Sequence, residues 1–107
     1  MRSAAQFALA LTTVGSEANA LALARVLVGR RLAACVNVIP KVRSVYRWKG
    51  KREEAREWLL VMKTRRKNLT RMEKVIRELH SYEVPEILSI ALDQGSSAYL
   101  KWLGAEI

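Results

Sequence analysis

Along this chain the spacing of apolar and polar positions changes several times, and each change marks an element. Phe7 to Thr13 is a short, nearly continuous apolar run of strand-compatible residues that stops at Gly15 and Ser16, which reads as a buried strand and a turn. Ser16 then supplies an N-cap for a helix expected from Glu17 to about Arg31. Glu17 falls in its first turn and Arg30 and Arg31 in its last, the charge order that a helix dipole favours. Leu21, Ala24 and Val28 form one apolar row and Ala20, Leu23 and Leu27 a second, so the helix is expected to pack on more than one side. From Val38 the period drops to two. Val38, Pro40, Val42, Tyr46 and Trp48 are expected on one side of a long strand, with Lys41, Arg43, Arg47 and Lys49 on the other. Pro40 cannot donate to a ladder, which predicts a bulge or bend there.

A turn around Lys49-Gly50-Lys51 leads to an antiparallel partner strand expected from Glu57 to Thr64, completing a hairpin. Helical spacing returns between about Arg66 and His80, where Leu69, Met72, Val75, Ile76 and Leu79 form an apolar stripe. Pro85 stops any helix before it, and Ile87 to Leu92 reads as a fourth strand. Asp93-Gln94-Gly95 is expected to turn the chain, and Ser96 or Ser97 to cap a last helix with Tyr99, Leu100, Trp102 and Leu103 on its apolar face. Strand, helix, hairpin, helix, strand is the α+β, ferredoxin-like order (βαββαβ plus a C-terminal helix): an antiparallel sheet with a long hairpin, and crossovers here expected to join parallel neighbours. The hairpin strand outruns an ordinary strand of about five or six residues, so its surplus length points to a second copy of the chain.

Composition narrows the function classes. The 107 residues make one domain, 1–107, and carry a formal net charge of +9. No acid occurs between Glu17 and Glu53, where nine Lys and Arg residues do. Such a footprint suits phosphate or nucleic acid, or simply a solvated face. A single cysteine, Cys35, rules out an internal disulfide framework and makes a reducing, cytoplasmic setting the expectation. No apolar run approaches the ~18 residues that span a bilayer. Arg2, Phe7 to Leu11 and Ala18-Asn19-Ala20 imitate a weak signal peptide, but the polar Thr12 to Glu17 break reads more simply as strand, turn and cap. No Ser-His-Asp or Cys-His set can be assembled around the one histidine, and there is no Gly-rich phosphate loop, so an enzyme is not expected. The strand Glu57 to Lys63 lacks the aromatic-rich pattern of an RNA-binding sheet, which leaves a basic nucleic-acid module as the weaker alternative.

Several separated motifs carry a family resemblance: Arg31-Leu32-Ala33-Ala34-Cys35-Val36-Asn37, Tyr46-Arg47-Trp48-Lys49-Gly50-Lys51, Met62-Lys63-Thr64, Tyr82-Glu83-Val84-Pro85-Glu86-Ile87 and Tyr99-Leu100-Lys101-Trp102-Leu103. In order and spacing the chain resembles the CutA family of divalent-cation tolerance proteins from about Phe7 to Leu103. The resemblance implies a homotrimer like the PII signalling proteins, with long hairpin strands pairing across subunits and no exposed edges left to aggregate. It also implies an association with copper and other divalent metals, through a cysteine near the end of the first strand and two adjacent histidines after the second helix. Thr12 and Leu79 occupy two of those positions, leaving His80 alone, and one imidazole makes a weak transition-metal site.

Three candidate sites follow. His80 is the metal candidate, or else a helix-end residue that interacts with terminal carbonyls. Cys35, beside Arg31, could be an activated thiol, yet its flanking Ala34 and Val36 suit a small apolar filler in a buried strand. Finally, Tyr46, Trp48, Lys63, Tyr82, Glu83 and Glu86 come from three of the shared motifs and are expected to line a cleft at a subunit boundary. That set suits a small anionic or amphipathic ligand; equally, Lys63 and Glu86 could form an interface ion pair while the aromatics bury area.

Overall fold

The computed structural model describes residues 1–107. Its elements are β1 (Arg2–Ser3), β2 (Phe7–Val14), α1 (Glu17–Gly29), β3 (Cys35–Trp48), β4 (Lys51–Arg65), α2 (Leu69–Leu79), β5 (Leu88–Ala91), β6 (Gln94–Gly95) and α3 (Ser97–Glu106), with a 3₁₀ turn at Arg66–Asn68 before α2. The main sheet has the order β3-β4-β2-β5, and every neighbouring pair is antiparallel. The fold class is therefore the expected α+β, ferredoxin-like arrangement. The crossovers, however, join strands that are not neighbours, because each leaves room for a strand of the hairpin or its partner to insert. β1 and β6 add a small two-stranded sheet that replaces the expected turn at Asp93-Gln94-Gly95.

Alternation assigns the layers. Ala10, Thr12 and Val14 of β2 pair with Met62, Leu60 and Trp58 of β4, and all of these face α1 and α2. Leu23, Leu27, Met72 and Ile76 close over them as the main core. Only the Ala20, Leu23, Leu27 row of α1, joined by Ala24, is buried; Val28 stays exposed. Ser16 caps α1 by accepting from the Asn19 N–H. At the other end Arg30 and Arg31 lie beyond the helix: Arg31 adopts φ 56°, and the Leu32 and Arg31 N–H groups bond the Leu27 and Val28 carbonyls. This is a Schellman end with arginine where glycine is usual, and Leu32 packs back beside Leu27.

The bulge falls where Pro40 places it, between the pairs Ile39↔Leu59 and Val42↔Glu57, with Lys41 at φ 62°. Its consequence corrects the expected face. One extra residue inverts the alternation, so Val38 sits opposite Leu60 on the helix side. Val42, Tyr46 and Trp48, opposite Glu57, Glu53 and Lys51, point the other way. Beyond the bulge β3 and β4 continue as a two-stranded arm, longer than expected on the β4 side, and the molecule measures 45 × 25 × 23 Å. Lys49 and Gly50 turn the arm with φ 50° and 80°, both positive as a two-residue hairpin turn of this hand requires.

On the sheet's second face α3 covers one end only. Phe7, Leu100, Leu103 and Ala4 form a small second core there, and Arg65 bonds the Gly104 and Ile107 carbonyls at the end of α3. Tyr99 and Trp102, expected inside, are exposed and pack on each other. Leu79, also expected inside, is exposed at the end of α2.

Candidate functional site

The root of the arm carries a cleft of about 710 Å³ on the face of the sheet that the helices leave open. β3 supplies Ser44, Tyr46 and Trp48, β4 supplies Glu57, and the chain after α2 folds over them with Tyr82, Glu83 and Glu86. His80 holds this segment in place. Its Nε2 lies 2.7 Å from the Thr13 carbonyl oxygen, and its Nδ1 accepts from the Tyr82 N–H at 3.0 Å. A carbonyl accepts and an N–H donates, so the ring is neutral with its proton on Nε2. Gly15 gives Tyr82 its space: a Cβ there would stand 3.2 Å from the Tyr82 hydroxyl.

At the floor of the cleft the Tyr82 hydroxyl donates to Glu57 Oε2 at 2.7 Å. Burial of the phenol, followed by this bond and the charge of the Glu57 carboxylate, raises the Tyr82 pKa well above its ordinary value. Glu57 is 5% exposed and is the only buried charged residue of the chain. The alternation of β4 is unbroken and sets Glu57 on the face opposite Trp58 and Leu60; its burial is not readable along the chain because the cover comes from β3 and from the segment after α2. The available signal was an acid opening the apolar run Trp58-Leu59-Leu60-Val61.

The expected cleft thus assembles in part. Tyr46, Trp48, Tyr82, Glu83 and Glu86 meet in it, and no Lys or Arg lines it. Lys63 lies farther along β4, with its Nζ 5.5 Å from the Tyr99 ring, and makes no ion pair with Glu86 within the subunit. Lys49 touches only the rim, 3.8 Å from Glu83 with both side chains exposed. Cys35 lies outside the cleft too: it pairs with Lys63, is half-buried on the open face of the sheet, and has Sγ 3.9 Å from Asn37 Oδ1. It is therefore not the core filler that its neighbours suggested.

The chain matches the family model described as CutA1 divalent ion tolerance protein over residues 8–106. It belongs to that family. Among curated relatives, a Xenopus laevis protein named Protein CutA homolog is 47% identical over 89% of this chain, and the Mus musculus Protein CutA is 42% identical over 88%. The chain spans 63% and 53% of the lengths of these two proteins. A crystal structure of CutA from Xylella fastidiosa superimposes with a TM-score of 0.92 at 35% identity, covering 95% of this chain and 98% of that one. No helix of the chain is long and apolar enough to cross a membrane.

A divalent ion does not fit the residues that the family resemblance assigns to it. Thr12 is 0% exposed and faces the core with its Oγ1 unpartnered. Both ring nitrogens of His80 are engaged. No three His, Cys, Asp or Glu side chains converge as a metal-holding group.

Proposed function

We propose that the chain is a non-enzymatic, homotrimeric member of its family that acts in the response to divalent metals, copper among them, by sensing a small ligand in the cleft at the arm root. The observation that carries this reading is the half-finished sheet. On the face opposite the main core, Leu88 and Ile90 are 58% and 48% exposed, and Ile39 is exposed beside half-buried Leu59 and Val61. β3 and β5 are both open edges. Unpaired edges next to an apolar face are the pattern that association with symmetry mates completes. The arm is long enough to reach beyond its own subunit, so the cleft at its root lies where subunits would adjoin. Sensing then needs no chemistry on the ligand: Tyr82 and its segment tie the cleft to α2 through His80, so occupancy there can bias the subunit boundary. Light scattering tests the assembly: a particle of three times 12.1 kDa at micromolar concentration is expected, and a monomer there would remove the trimer from the reading while leaving the ligand site to be tested by binding. We further place the protein in a reducing, cytoplasmic compartment, which suits its single, unpaired Cys35.

One observation favours a second reading, a nucleic-acid module. On the side of the arm away from the cleft, Arg43 stands opposite Arg56 and Arg47 opposite Arg52, relieved only by Glu54, 3.9 Å from Arg43. Like charges directly opposite destabilise a ribbon, and phosphates would neutralise them. Titration of duplex DNA at several salt concentrations decides it: phosphate-driven binding falls with a log-log slope of about 0.9 per neutralised phosphate.

A further inference from the structure

In a chain of net charge +9 the cleft at the arm root is lined by three carboxylates, Glu57, Glu83 and Glu86, and by no lysine or arginine. Acids on a surface are ordinary; Glu57 is not on the surface. It is 5% exposed, its one hydrogen bond comes from Tyr82, and no cationic side chain lies within 4.0 Å of it. A buried charge normally has a counter-charge, because burying it alone costs several kcal/mol. Here 19 Lys and Arg residues are available and none is supplied. The missing partner must come from outside the subunit, and the cleft shows what kind. Its walls are Tyr46, Trp48 and Tyr82, and aromatic faces attract diffuse organic cations. A hard metal ion would instead need several oxygens converging at one point, which these carboxylates do not provide. At about 710 Å³ the cleft is of the size that holds small organic ligands, roughly 300–1,000 Å³. Lys49 reaches the rim, 3.8 Å from Glu83 and 5.6 Å from the Trp48 ring, but its side chain is exposed; positive charge farther away is screened beyond about 8 Å at physiological salt, and Glu57 and Glu86 have no ion pair within the subunit.

We propose that this cleft binds a small organic cation, a protonated or methylated amine, with Glu57 as its counter-charge and Tyr46, Trp48 and Tyr82 as its walls. The proposal rests on the small-ligand reading above and reverses the sign of ligand expected from Lys63, which lies outside the cleft.

Isothermal titration of the protein in its native oligomeric state tests it, with spermidine and tetramethylammonium as probes and magnesium and acetate as controls. Saturable binding of an organic cation is expected, with at least a tenfold loss in Glu57→Gln, which keeps an acceptor for the Tyr82 hydroxyl. Trp48→Leu should weaken binding about two- to fivefold, the range of an exposed cation–π contact. The proposal is overturned if neither amine binds, if acetate binds instead, if magnesium binds and depends on Glu57, or if amine binding survives Glu57→Gln. It is equally overturned if Glu57→Gln dissociates the oligomer while no amine binds, since the counter-charge would then be a basic side chain of another copy. A monomer that still binds amines would remove the trimer and leave this proposal standing.

Discussion

The two faces of the sheet are made from the same strands and end very differently. On one, Leu60, Met62, Ala10 and Val14 meet Leu23, Leu27, Met72 and Ile76 and are sealed within the chain. On the other, Leu88 and Ile90 lie open, α3 covers only the Phe7 end, and the arm root holds a buried acid under an aromatic cleft. The difference shows where the chain is self-sufficient. A face built for its own helices stabilises the subunit; a face left apolar and uncovered is available for association. The largest contrast should therefore appear in paired truncations. Leu60→Ala is expected to cost about 2–5 kcal/mol in subunit unfolding, measured by urea denaturation. Ile90→Ala should change the unfolding of the subunit itself little and raise the protein concentration below which the oligomer dissociates. Equal effects of the two on subunit unfolding would erase the distinction between the faces.

Much of that contrast was legible along the chain. The element order, the Ser16 cap, the bulge at Pro40 and the turn at Lys49-Gly50 are local, set by hydrogen-bonding capacity and permitted φ, and the structure has them all. The misassigned face of Tyr46 and Trp48 shows the limit. A bulge can be expected from one proline, but whether it adds one residue or two is settled by pairing with β4, and that count decides which side everything beyond it occupies. Likewise Tyr99, Trp102 and Leu79 fit an apolar period and are still exposed, because periodicity names a face without saying what, if anything, covers it. Of the candidate site, the motif residues Tyr46, Trp48, Tyr82, Glu83 and Glu86 were found by resemblance. Glu57 was missed, and Lys63 and Cys35 were included although they point elsewhere along the sheet.

On the open side, the Tyr82–Glu57 bond is the next thing to break. Tyr82→Phe leaves a buried carboxylate without its hydrogen bond and should cost about 1–3 kcal/mol at neutral pH. The pH dependence has a definite sign. A phenol whose pKa is raised in the folded state contributes stability that is fully present below its unfolded value, near 10, and is lost as pH climbs toward the folded one. Thermal unfolding between pH 8 and 11 should therefore show an alkaline decline in the unmodified protein that is smaller in Tyr82→Phe. Parallel profiles would mean that another group sets the decline.

The smallest effect belongs to the covered face and runs in the opposite direction. Thr12 sits at the centre of β2, 0% exposed, with an Oγ1 that finds no partner among the apolar side chains around it. Elsewhere on the sheet a buried threonine is satisfied: Thr64 donates to the Leu32 carbonyl at 2.6 Å. Valine has nearly the shape of threonine without the hydroxyl, so Thr12→Val removes an unmet desolvation cost and leaves the packing intact. A gain of about 1 kcal/mol is expected, read as a higher denaturation midpoint with an unchanged slope. Thr64→Val should instead destabilise, because it strips the Leu32 carbonyl of a donor in the same sealed layer. If Thr12→Val destabilises as well, the hydroxyl has a partner after all, and the covered face is less self-sufficient than its contrast with the open one implies.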